Sequence, residues 1–188
     1  MYMKCTVFIF LLLFPLLPFV SYTQQEQEQE LLELINYCRT NPDDFAQKVA
    51  LPYIKEKGLT HLKEGKSLIR TLLKTAPLLP LHMTDDLNQM AEEYALEMGR
   101  KGFTGHRSFT SRFKNNNVKY DFTGENCSYG YNSALDIIMQ LLIDEGIPDY
   151  GHRKNLLSKD FQYTGISIQP HKKSEWTCVI EFGGILGD

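Results

Sequence analysis

The sequence predicts an α+β domain. Apolar residues recur at helical spacing through most of the chain, and two alternating runs, residues 163–169 and 176–182, come at its end. Several helices followed by a few late strands argue for segregated layers around one core.

The elements follow in order. Residues 1–23 read as a secretory leader. Lys4 is followed by an apolar stretch over 5–20, broken by Pro15 and Pro18, with small Ser21 and Thr23 at the cleavage positions. That stretch falls short of the ~20 residues a spanning helix needs, which predicts no stable membrane anchor once the leader is cleaved. Residues 24–30 (QQEQEQE) form a polar arm or frayed first turn, and residues 31–188 a single domain. Leu31, Leu34, Ile35 and Cys38 start the first helical stripe. Asn41-Pro42-Asp43-Asp44 opens a second helix, with Asn as cap, Pro in the first turn and acids behind it. Residues 52–65 read as an irregular connection, 67–73 as a short helix and 78–81 as a linker held open by Pro77 and Pro80. Thr84 caps the strongest helix, whose stripe is Leu87, Met90, Ala91, Tyr94, Ala95 and Met98, and Gly102 ends it. Residues 103–121 lack a period and read as a long functional loop, with Gly124-Glu125-Asn126 as a turn after it. Ser133 and Asp136 open one more helix, stopped by Gly146 and Pro148. A polar turn at 171–174 joins the two late strands.

Composition narrows the function classes. The formal charge of −3, one lower without Lys4, speaks for neither nucleic acid nor an anionic membrane surface. Without the leader and its Cys5, three cysteines remain: Cys38, Cys127 and Cys178. An odd count allows one bridge plus a free thiol, or none. The preferred pair is Cys127–Cys178, with Cys38 free on an apolar helix face; three free thiols are the alternative.

The chemistry-bearing residues lie in three segments. His106 sits in Thr104-Gly105-His106-Arg107, Glu125 between Gly124 and Asn126, and His152 after Gly151. Asp144 and Glu145 end the helix that leads to His152, where acids oppose the helix dipole unless something holds them. Two imidazoles and two carboxylates suit zinc or another divalent cation. No HExxH, CxxC, GxSxG, Walker or GxGxxG pattern is present, and His61 and His82 read as surface.

Taken in order, Leu34-Ile35-Asn36 with Arg39, Leu79-Pro80-Leu81, Ala91 to Ala95, His106, Gly124-Glu125-Asn126, Gly151 to Leu157 and Thr164-Gly165-Ile166 resemble the CAP superfamily. This is the SCP-like extracellular domain of cysteine-rich secretory proteins, venom allergens and pathogenesis-related proteins. The likeness is to its compact, microbial-like version. The resemblance implies a three-layer α-β-α sandwich with a central cleft. It implies that His106, Glu125 and His152 fill three places of a four-residue cleft site that binds zinc or another divalent cation in some members. The fourth place falls on Asp144 or Glu145. The chain departs from the family in having Leu141 and Leu142 where a Trp is usual, and Arg153-Lys154-Asn155 after the second histidine.

Three functions are compatible with these residues. The first is a secreted, extracellular or periplasmic, non-enzymatic domain whose cleft binds a divalent cation and a small or lipid-like ligand or partner protein. The second is a metal-assisted or Glu/His hydrolase. The third is a structural or adhesive surface domain with a vestigial site.

Overall fold

The computed structural model describes residues 19–115 and 120–187. Most of the expected leader therefore lies outside the described residues. Among them, no helix is long and apolar enough to cross a membrane.

Helix α1 (Phe19–Thr40) buries Leu31, Ile35 and Cys38 on one stripe. It runs without a break through 24–30, so the polar arm is helical. The reason is tertiary: the Gln27 side chain accepts the Ala134 N–H (2.8 Å), and Glu28 accepts the Ile168 N–H (2.7 Å). After Asn41 the chain continues through α2 (Pro42–Phe45), a π-helical turn (Ala46–Ala50) and α3 (Leu51–Glu56). A 3₁₀ turn (Leu59–His61) and α4 (Lys63–Leu72) follow. The expected irregular connection over 52–65 is thus mostly helical. Pro52 falls in the first turn of α3, directly after the π-helical turn.

Strand β1 (His82–Met83) leads into α5 (Asp85–Lys101), which ends at left-handed Gly102. The Thr84 side chain meets the Tyr120 hydroxyl (3.2 Å) instead of capping the helix. The expected loop over 103–121 contains α6 (Phe109–Asn115), whose Phe113 packs with Leu87 and Met90. Gly124-Glu125-Asn126 is not a turn but the middle of β2 (Phe122–Tyr129). Helices α7 (Ala134–Ile143) and α8 (Gly151–Leu156) precede the hairpin of β3 (Tyr163–His171) and β4 (Glu175–Gly184).

The sheet order is β1-β3-β4-β2, with β1 parallel to β3 and the other pairs antiparallel. One face carries α5; the other carries α1 and α7, which makes an α-β-α sandwich. The main core joins Leu31 and Ile35 to Ile138, Leu142, Ile166 and Ile180. On the other face Tyr94 and Met98 meet Val179 and Cys127. Helix α5 lies very close to β3: a Cβ at Gly165 would stand 2.0 Å from the Leu87 backbone.

The register decides the cysteines. Cys127 is opposite Val179, and Cys178 is opposite Ser128. Cross-strand partners share a face and successive residues alternate, so the two sulfurs leave opposite faces of the sheet. The preferred bridge is therefore wrong: Cys38, Cys127 and Cys178 are all free and buried. Burial pushes the Cys38 thiol up to about 12.

Candidate functional site

Strand β2 is an edge of the sheet, and its alternation builds both halves of the site. Glu125 faces the α5 layer. Asn126 faces the α7–α8 layer, where its side chain donates to the His152 carbonyl (3.0 Å). Asn155 ties the two together, donating to the Glu125 carbonyl (3.2 Å) and to Asn126 Oδ1 (2.9 Å). Gly124 faces Phe161, and a Cβ there would lie 2.7 Å from the ring.

The first half comes from the segment after α5. The Tyr94 hydroxyl donates to the Gly105 carbonyl (2.6 Å) and accepts from the Arg107 N–H (2.7 Å). The Tyr129 hydroxyl accepts from the Gly105 N–H (2.8 Å). Two tyrosines thus brace the backbone on both sides of His106. Burial first, then the Glu125 charge, pushes the Tyr94 phenol up to about 12, so it acts as a hydroxyl brace and not as an acid. His106 Nδ1 lies 2.6 Å from Glu125 Oε1; its side chain is 48% exposed and that of Glu125 1%. Glu125 Oε2 is held by Arg112.

The second half comes from the α7–α8 junction. Asp144 closes α7 with a left-handed backbone, φ 59°. That turn carries its carboxylate onto the first N–H groups of α8: Oδ2 accepts from His152 (3.0 Å) and Arg153 (3.3 Å), while Oδ1 meets His152 Nδ1 at 2.7 Å. The acid escapes the C-terminal end of one helix by capping the next. Arg153 donates to the Leu142 and Ile143 carbonyls that end α7 and lies over the Tyr150 ring. The rings of His106 and His152 stand 6.4 Å apart, centre to centre.

Both imidazoles line one cleft of about 620 Å³ with Cys127, Asp144 and an apolar wall that includes Tyr53, Leu59 and Ile147. The structure brings together His106, Glu125, Asp144 and His152. Glu145 is solvent-exposed on the cleft rim. His61 and His82 are exposed. One ring nitrogen of His106, a Glu125 oxygen and Cys127 Sγ fall within 4.8 Å of one another.

Sequence reasoning missed Arg112, Glu181 and the two bracing tyrosines. Glu181 is fully buried on β4, directly opposite Glu125. Burial, then the charge of Glu125, pushes its carboxyl up to about 9. An acid inside the apolar run Cys178-Val179-Ile180-Glu181-Phe182 was the available signal. His171 was also missed: it is buried, faces the Phe103 carbonyl through Nε2 (3.0 Å) and accepts two turn N–H groups at Nδ1.

The cysteine-rich secretory protein (CAP) family model matches residues 32–180. The chain belongs to this family. Among solved structures, a cysteine-rich secretory protein from Staphylococcus aureus aligns at 19% identity with a TM-score of 0.53, over 85% of this chain and 39% of that one. The chain thus spans well under half of the staphylococcal protein. A venom allergen-like protein from Schistosoma mansoni aligns at 10% identity and TM-score 0.52, over 85% of this chain and 88% of its own. An outer surface protein from Borrelia burgdorferi aligns at 20% identity and TM-score 0.50, over 64% and 88%. At these identities the likenesses carry the fold. No curated protein sequence matches the chain.

Proposed function

We propose that this CAP domain is a secreted, non-enzymatic binding module whose cleft takes a divalent cation, zinc foremost, with a small or lipid-like ligand beside it. One observation carries the reading: two histidine–carboxylate pairs face each other across one cleft. In each pair the acid occupies Nδ1, which leaves Nε2 as the metal donor. This is how an outer carboxylate orients a metal-bound histidine.

The acids are therefore orienting groups more than ligands. Glu125 has one oxygen on His106 and the other on Arg112, whose charge opposes a cation at that oxygen. Asp144 is committed to His152 and two backbone N–H groups. The fit to zinc is close. Two imidazoles bonded at ~2.0–2.1 Å to one tetrahedral ion hold their ring centres about 5 Å apart. The observed 6.4 Å is within reach of small side-chain rotations, helped by the half-exposed His106 ring. Bound zinc would act as a Lewis acid with positions open to solvent or ligand. The apolar wall beside the imidazoles suits the hydrocarbon part of a ligand. The leader-like residues 1–23 support secretion.

Turnover has weaker support. A protein nucleophile would need base and orienter on opposite ring nitrogens. Here Cys127 Sγ lies 3.8 Å from the same Nδ1 that Glu125 occupies. Burial, then Glu125, also pushes that thiol well above its ordinary range, which makes it inert.

The test is calorimetric titration of zinc into metal-free protein at pH 7.5 and pH 5.5. Binding is expected at pH 7.5 and should weaken at least about tenfold at pH 5.5, because protons compete for imidazole below its reference pKa of ~6.5. His106→Ala and His152→Ala should each lose most of the affinity. No binding at pH 7.5, or unchanged affinity in both variants, overturns the reading.

A further inference from the structure

Arg112 belongs to neither histidine pair, yet it touches everything beneath one of them. It projects from α6, and its guanidinium lies 3.4 Å from the centre of the Tyr94 ring. It donates to Glu125 Oε2 and to the Arg107 carbonyl, and reaches Glu181 Oε1 at 3.5 Å. Its side chain is only 15% exposed.

We infer that Arg112 is the positioning residue of the His106 half of the site. This rests on the reading that His106 offers Nε2 to a metal. The register sets Glu125 directly opposite the buried Glu181 carboxyl, and the Arg112 guanidinium reaches both. A planar fork placed there holds one oxygen of Glu125 and leaves the other aimed outward. Arg112 takes Oε2, so Oε1 points at His106 Nδ1. A carboxylate only accepts, so in the neutral ring Nδ1 carries the proton and Nε2 the lone pair. The same guanidinium grips the Arg107 carbonyl, one residue from the ring it orients. Carboxylate and loop are thus set by one rigid group, which Tyr94 clamps flat.

The other half is wired differently. Asp144 is held by backbone N–H groups of α8, and no Lys or Arg forms an ion pair with it among the described residues. Arg112 should therefore control His106 and leave His152 alone. The guanidinium is enclosed between two acids, one of them the fully buried Glu181.

The experiment is ¹⁵N NMR of the imidazole nitrogens in the metal-free full chain, with zinc titration alongside, for wild type, Arg112→Gln and Arg112→Lys. Wild type should show one tautomer, with the proton on Nδ1, at both His106 and His152. In Arg112→Gln the His106 signals should become a mixture of tautomers while those of His152 stay fixed. Zinc affinity should fall by ~10–100-fold, the usual loss for an outer-sphere partner. Arg112→Lys keeps the charge but not the fork, so it should fold and show the same His106 mixture. If Arg112→Gln does not fold, the lysine variant decides. A wild-type tautomer at His106 in the folded variants overturns the inference, as does an equal change at His152. If wild type binds no zinc, the metal reading fails, and the tautomers alone still decide the role of Arg112.

Discussion

Two acids stand opposite each other at Glu125 and Glu181, and their surroundings separate them. Glu125 meets a guanidinium and an imidazole; Glu181 is enclosed and meets mainly the charge of Glu125. The folded Glu181 carboxyl titrates near 9, against an ordinary 4.5. Between those values the native state keeps a proton that the unfolded chain has released. Unfolding free energy therefore falls as pH rises from about 4.5 towards 9, the reverse of a salt-bridged carboxylate. Glu181→Gln replaces the neutral acid by a neutral amide of the same shape. Its melting temperature should change less than that of wild type between pH 6 and pH 9. A parallel fall in both proteins would mean that Glu181 is already ionised at neutral pH. The thiols give a second test at this scale. Cys38, Cys127 and Cys178 are buried, and each is pushed up by burial. None should react with a thiol reagent in the native protein, and all three should react in denaturant. A native disulfide found by peptide mapping would contradict the register of β2 and β4.

Among the elements, the seat of α5 on the sheet has the tightest tolerance. Gly165 lets the Leu87 backbone approach to where a Cβ would be, and backbone cannot rotate aside as a side chain can. Gly165→Ala should cost at least about 2 kcal/mol, in the upper part of the usual ~1–3 kcal/mol overpacking penalty, and lower the melting temperature accordingly. A loss below about 0.5 kcal/mol would show that α5 slides without cost. Helix α5 was legible in the sequence because its stripe repeats for several turns and Gly102 ends it. The late hairpin was legible from its alternation. Strand β2 was not, because its alternation is not apolar against polar: Glu125 and Asn126 are both polar, and each is buried in a different layer. The start of helix α1 before residue 31 is not legible, because Gln27 and Glu28 look solvated until the partners across the fold, Ala134 and Ile168, are known. For the site, His106, Glu125 and His152, three of the four side chains that pair in the structure, could be picked from the sequence. The choice between Asp144 and Glu145 could not, since it turns on the left-handed cap at Asp144. Arg112 and Glu181 stayed hidden because their pairing with Glu125 comes from strand register and from α6, not from sequence spacing.

At the scale of the whole molecule, the cleft lies along the β2 edge where the two helical layers face each other. His106 is held from the α5 side and His152 from the α7–α8 side. An ion bridging the two imidazoles would therefore tie one layer to the other across the sheet edge. Such a ligand binds the native state and not the unfolded chain, so it stabilises by mass action: about 2.7 kcal/mol at a hundredfold excess over Kd. For a domain of this size each kcal/mol moves the midpoint by about 2–4 °C, so saturating zinc should raise the melting temperature by roughly 5–10 °C. A chelator should reverse the rise. His152→Ala should abolish the zinc-dependent shift yet melt within about 3 °C of metal-free wild type, because its ring lies at the cleft surface and not in the core. Asp144→Asn should behave differently: it keeps the shape but weakens the hold on two α8 N–H groups, lowering the metal-free midpoint as well as the zinc response. Magnesium at the same excess should do little, since imidazole donors suit zinc and magnesium keeps oxygen ligands. Equal stabilisation by magnesium, or a full zinc shift in His152→Ala, would place the ion on surface acids and remove the link between the two layers.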